Sequence, residues 1–163
     1  GKELETKEMK TPLTFLLSLT FLFLFGCQTS GGNYNQDFQR GFDAAKRGDY
    51  KTAYKLWLPL AEQGHADAQG NKGLLYQRGQ GVPQDYKEAV RWYRLSAEQG
   101  NAEAQLNLGL MYDFGQGVPQ DYVSANMWFN LCGSSGDKDC LSSIRHIEKM
   151  MSSSQIEEAQ EIV

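Results

Sequence analysis

The sequence predicts an all-α protein of stacked helix pairs, and three observations carry that prediction. The octapeptide Gly79-Gln80-Gly81-Val82-Pro83-Gln84-Asp85-Tyr86 recurs unchanged as Gly115-Gln116-Gly117-Val118-Pro119-Gln120-Asp121-Tyr122, 36 residues later, a period that marks repeat architectures. Two full units built on it, His65 to Gly100 and Asn101 to Gly136, agree at about half of their positions. On either side of the octapeptide the apolar residues recur at helical spacing: Ala104, Leu108, Met111 and Tyr112 before it, and Tyr86, Ala89, Val90, Tyr93 and Ala97 after it in the preceding unit.

The 163-residue chain opens with a different signal. Leu13 to Phe25 is almost unbroken apolar sequence after Met9-Lys10 and before Gly26-Cys27. It is shorter than the about 20 residues that a transmembrane helix needs, and its order of charge, apolar stretch and small residue is that of a secretory signal peptide. Met9 reads as the start, with Gly1 to Glu8 an upstream artefact. Leu24-Phe25-Gly26-Cys27 resembles the lipobox of bacterial lipoproteins, which implies cleavage before Cys27 and a diacylglycerol on its thiol; Gln28 after it favours outer-membrane sorting, facing the periplasm or the cell surface. The alternative is a plain signal peptide or an uncleaved anchor with an incidental cysteine. Residues 1–26 are therefore assigned to the leader, 27–36 (Ser/Gly/Asn-rich) to a flexible tether, and 37–163 to the folded part.

Within that part, Phe38, Gly41, Phe42 and Ala45 predict a first helix, Gly48-Asp49-Tyr50 a shortened turn, and Ala53, Leu56 and Trp57 a second helix ending at Ala61-Glu62-Gln63-Gly64. That tetrapeptide matches Ala97-Glu98-Gln99-Gly100 and sets the register of the first repeat, 37–64. In the two full repeats, Gly79 and Gly115 stand where a left-handed helix cap is wanted and Pro83 blocks helix continuation. Asp85 and Asp121 cap the next helix, with Glu88 placed to complete a capping box. A cap follows over 137–163, with a helix from about Asp139 to Met151 and a last one through Ile156, Ala159 and Ile162, capped by the Ser152-Ser153-Ser154 run. The total is eight helices in four pairs.

These motifs, A-x-A-Q-x-N-x-G-x-x-Y, then G-x-G-V-P-x-D-Y-x-x-A, then W-Y and A-E-Q-G, resemble the Sel-1-like repeat, a relative of the tetratricopeptide repeat. The resemblance covers Asp37 to Gly136 well and the cap loosely. It implies a right-handed α/α solenoid whose concave face is lined by the first helix of each pair, and an adaptor that holds a peptide or protein. The seven residues between Cys132 and Cys140 resemble the spacing in the family's cysteine-rich branch, which implies an intra-repeat disulfide. In the repeat frame the two positions face each other across the Gly136 turn; the alternative is two small buried residues left reduced.

Where the family has a large apolar residue and a leucine, the second repeat has Gly70 and Lys72; the third keeps Leu106 and Leu108. One reading is drift. The other is a shallow notch with Lys72 at its rim, drawing an acidic partner group. Asn71, Lys72, Tyr76, Asn107 and Tyr112 on the first helices are the candidate partner-binding residues, while Trp57, Trp92, Trp128, Tyr93 and Phe129 read as packing. His65 reads as an exposed turn residue.

The net charge of −4 and the lack of a basic stripe argue against a nucleic-acid surface. Ser135-Gly136-Asp137-Lys138 has the S-x-x-K form of penicillin-interacting enzymes without its companion triplets. Cys132, Cys140 and His146 lack a fourth zinc ligand at regular spacing, and the glycine-rich loop lacks the Lys-Ser/Thr of a phosphate cradle. No metal and no cofactor are expected. The leading expectation is a non-enzymatic, monomeric, membrane-anchored adaptor. The alternatives are a β-lactam-binding or hydrolysing enzyme of the cysteine-rich kind and a structural envelope protein near peptidoglycan.

Overall fold

The computed structural model describes residues 34–134 and 136–162. Met9, the apolar run, Cys27, the tether through Asn33, and Ser135 lie outside the described residues, as does the side chain of Ile162. The described residues form α1 (Tyr34–Lys46), α2 (Tyr50–Glu62), α3 (Ala66–Arg78), α4 (Tyr86–Ala97), α5 (Ala102–Phe114), α6 (Tyr122–Gly133), α7 (Lys138–Ile147) and α8 (Ser153–Ile162), with no strand among them. Tyr34 to Gln36, assigned above to the tether, are the first residues of α1.

Two glycines, a glutamine and an aspartate of the repeated octapeptide reverse the chain. Gly79 and Gly115 close α3 and α5 at φ of 65° and 66°, in the left-handed region that favours glycine. The backbone then folds back so that Asp85 N–H donates to Tyr76 O and Asp121 N–H to Tyr112 O, both at 3.0 Å. Gln84 and Gln120 stitch the loop to the helix just left, their Nε2 donating to Gln77 O at 2.8 Å and Asp113 O at 2.7 Å. A β-carbon at Gly81 would lie 2.6 Å from the Tyr50 carbonyl oxygen, and one at Gly117 would strike the Tyr86 carbonyl. Each loop thus rests on the start of the preceding second helix, and that close approach admits only glycine.

Asp85 Oδ1 then accepts from Lys87 N–H and Glu88 N–H at 2.9 and 3.1 Å. The expected capping box does not close, because Glu88 has better partners. Its carboxylate accepts from the Arg91 guanidinium at 2.9 Å and from Trp92 Nε1 at 3.2 Å, an indole N–H that needs an acceptor when buried. A closed capping box does occur at Ser152, whose Oγ accepts from Gln155 N–H at 3.3 Å while its own N–H donates to Gln155 Oε1 at 2.9 Å.

Within a pair, the first helix packs tightly on the second because a glycine faces an aromatic ring. A β-carbon at Gly73 would lie 2.7 Å from Tyr93 and one at Gly109 2.5 Å from Phe129; Gly41 faces Trp57 in the same way. The core is correspondingly serial. One cluster holds Ala53, Trp57, Ala68, Leu75 and Trp92, the next Ala89, Tyr93, Leu108 and Met111, and the last Ala125, Phe129, Ile147 and Ala159. This is the near-neighbour burial of a solenoid.

The cap departs from the expected fourth pair. The seventh helix stops at Ile147 instead of reaching Met151, and α8 packs mainly against α6 instead of closing on α7. Ala159 and Met151 thereby cover the last cluster, where a further repeat would otherwise be needed to bury it.

Candidate binding face on the first helices

The first helices α1, α3 and α5 share a groove. A cavity of about 220 Å³ opens there, lined by Phe38 and Phe42 of α1, Asp67, Gly70 and Asn71 of α3, and Asn107 of α5. Gly70 leaves it open: the equivalent position of the third repeat is Leu106, whose side chain packs against the last core cluster. The second repeat manages without that side chain because Ser96 Oγ donates to Ala66 O at 2.7 Å, tying α4 to α3 by a hydrogen bond. A β-carbon at Gly70 would sit 3.2 Å from that Oγ.

The rim is acidic. Asp67 and Glu103 are exposed and line the cavity, and no basic side chain does. Asn101 caps α5, its Oδ1 accepting from Ala104 N–H at 2.8 Å, and its Nδ2 donates to Asp67 Oδ1 at 2.8 Å, which fixes that carboxylate across the mouth. His65 caps α3 in the same way, with Nδ1 accepting from Ala68 N–H at 3.3 Å. It is not an exposed turn residue: it is half-buried and its ring stacks on Phe38 at 5.1 Å.

The five candidate partner-binding residues separate. Asn71 and Asn107 line the groove, and among the described residues neither carboxamide makes a hydrogen bond within the protein. Tyr76 and Tyr112 turn towards second helices. Tyr76 Oη and Tyr54 Oη are 3.1 Å apart, and burial together with that bond pushes the Tyr76 phenol up to about 12. Tyr112 Oη accepts from the Arg94 guanidinium at 2.5 Å. Lys72 is the clear correction: it is not at a rim but 3% exposed. Its ammonium lies 3.7 Å over the Trp92 ring and 5.3 Å from that of Tyr54. Burial lowers its pKa, against the pull of Glu62 and Glu88. A buried lysine is tolerable because its stem packs as leucine does while the ring faces hold its charge. Nothing in its own helix signals this burial, because the ring that covers the ammonium comes from α4.

Cys132 and Cys140 are joined in a disulfide, with Cα atoms 5.8 Å apart, linking the end of α6 to the start of α7. With Asp137 they form the one group of potential metal ligands among the described residues, but disulfide sulfurs are not thiolates and His146 is not in the group. Lys138 opens α7 and is exposed. In the middle of α7, Ser143 Oγ donates to Asp139 O at 2.9 Å, one turn earlier in the same helix.

A regularly spaced series of helix pairs with an open groove on its first helices is the architecture of a helical-repeat protein. The Sel1 repeat model matches residues 38–65, 66–101 and 102–137, and the chain belongs to the Sel1 repeat family. Proteins of this family are generally protein-interaction scaffolds and typically not enzymes. Among solved structures, the chain is similar to a protective antigen present in uropathogenic Escherichia coli strains, at 29% identity and a TM-score of 0.76 over 79% of this chain and 28% of that one. It is also similar to a Sel1 repeat protein from Oxalobacter formigenes, at 30% identity and a TM-score of 0.65 over 80% of this chain and 54% of that one. The chain thus spans about half or less of the length of these relatives. No curated protein matches it significantly.

Proposed function

We propose that the protein is an exported, lipid-anchored adaptor that holds a peptide, or an extended segment of a partner protein, along the groove of its first helices. The observation that carries this reading is the pair Asn71 and Asn107. They occupy the same place one repeat apart, line one cavity, and leave their donors and acceptors to an incoming chain. Carboxamides spaced along a groove suit the alternating donors and acceptors of an extended backbone. Phe38 and Phe42 offer an apolar contact beside them, and the acidic rim favours a partner carrying positive charge.

Export and anchoring rest on the apolar run before Cys27, and the disulfide is consistent with an oxidising compartment. A relative that is a protective antigen also fits an envelope location. A photo-crosslinking residue placed at Asn71 or Asn107 should give a discrete adduct in intact cells, while one at Gln84 on the loop should not. Adducts from the loop position alone would overturn the assignment of the groove. Cys27→Ser should abolish incorporation of a palmitate analogue; unchanged labelling would refute the anchor.

A further inference from the structure

The second and third repeats differ at one more pair of positions, at the far end of the first helices. In the second repeat Tyr93 Oη donates to Gln77 Oε1 at 2.6 Å. The third repeat replaces the tyrosine by Phe129 and the glutamine by Asp113. The hydroxyl donor is gone and the acceptor has become a carboxylate. Asp113 is only 6% exposed, and among the described residues no donor bonds its side chain. Its oxygens are not sealed in; they open on a cleft of about 390 Å³ between α5 and α7. Opposite the carboxylate stand Ser142, Ser143 and His146 of α7, and Phe114 and Phe129 form the apolar side.

From the geometry we infer that this cleft is a binding site for a guanidinium group, an arginine side chain of a bound chain. A buried carboxylate without a donor calls for a charged donor. The ring of Phe114, 64% exposed at the mouth, offers the face on which a planar cation stacks. A bare metal ion fits less well, because Asp113, Asp139 and His146 do not bring their ligand atoms within 4.8 Å of one another. A guanidinium carries five donors in a wide fork and spans such a gap. Desolvation raises the pKa of Asp113, and the nearby His146 opposes that shift; a bound cation would relieve the same cost. The inference goes beyond the groove reading and does not depend on it, since the cleft shares no lining residue with the cavity under Gly70.

The test is a titration of the isotope-labelled full chain with N-acetylarginine amide, followed by amide chemical shifts. One charge-assisted fork with ring stacking implies affinity of about millimolar order. Saturable shifts should appear over Ser142 to His146, and the neutral isostere N-acetylcitrulline amide should be at least about tenfold weaker. Asp113→Asn, which keeps the shape and removes the charge, should weaken arginine binding by a similar factor. Phe129→Tyr, which restores the hydroxyl of the second repeat, should compete for the carboxylate and weaken it too. Absence of saturable shifts, equal binding of the citrulline analogue, or binding unchanged in Asp113→Asn would each overturn the inference.

Discussion

The second and third repeats share a backbone frame and fill it differently. In the third repeat the position equivalent to Lys72 is Leu108, fully buried in the cluster that Trp128 packs against, with Met127 directly before the tryptophan and Ser124 one helical turn before it. In the second repeat the same places hold Lys72, Arg91 and Glu88, and the tryptophan has become the centre of a charged group. The Lys72 ammonium lies over its ring, the Arg91 guanidinium is 4.4 Å from the ring centroid, and Glu88 accepts from both Arg91 and the indole N–H. The difference teaches that the repeat frame is set by the loop and the glycine–aromatic contacts. The positions between them are free to carry charge as long as each charge finds a partner.

The largest way to break this comparison is to move the charge. Leu108→Lys should destabilise the fold by about 3 kcal/mol or more, since no arginine–glutamate pair surrounds Trp128. Lys72→Leu should be neutral or stabilising by about 1 kcal/mol. Denaturant melts of both variants check the asymmetry, and equal losses would show that the sites are equivalent after all.

Next is the tie that the third repeat has and the second lacks. Cys132 takes the place of Ser96, and its bond to Cys140 joins α6 to α7 covalently, where α4 and α5 are held by packing and by side-chain hydrogen bonds such as Gln105 to Ala97 O and Arg94 to Tyr112. Replacing both cysteines by alanine should cost about 2–3 kcal/mol for so short a loop, read as a lower melting midpoint that wild-type protein reproduces under reductant. The shared part of the frame gives a similar or smaller effect: Gly73→Ala and Gly109→Ala should each cost about 1–3 kcal/mol, because each β-carbon meets a ring. The two values should agree closely.

A smaller effect, confined to the second repeat, comes from pH. The folded pKa of Lys72 lies below its ordinary 10.5, so between the two values the unfolded chain binds more protons than the folded one. Stability should therefore rise with pH across that alkaline window, and be lost as pH falls through the folded value. The rise should be absent in Lys72→Met; the same slope in that variant would assign it elsewhere.

The frame was legible in the sequence because its determinants are local. An octapeptide with fixed glycines, proline and aspartate leaves one way to stop a helix, turn and start another. The groove was legible in part: Gly70, Asn71 and Asn107 stand on the face that the repeat period assigned them. Lys72 was not, because charge alone suggests a surface, and only the ring of Trp92 supplied by α4 makes burial favourable. The bonds of Tyr76 to Tyr54 and of Tyr112 to Arg94 were hidden for the same reason, as each partner comes from a neighbouring helix. The packing of α8 on α6 was equally hidden, because no repeat period extends into the cap.

The central claim is that function lies where the second repeat opens the groove at Gly70. Gly70→Leu restores the large side chain of the third repeat and tests that claim directly. Binding of the partner captured at Asn71 or Asn107 should fall by at least about tenfold, with the melting temperature little changed. Undiminished binding in a folded Gly70→Leu protein would contradict the account.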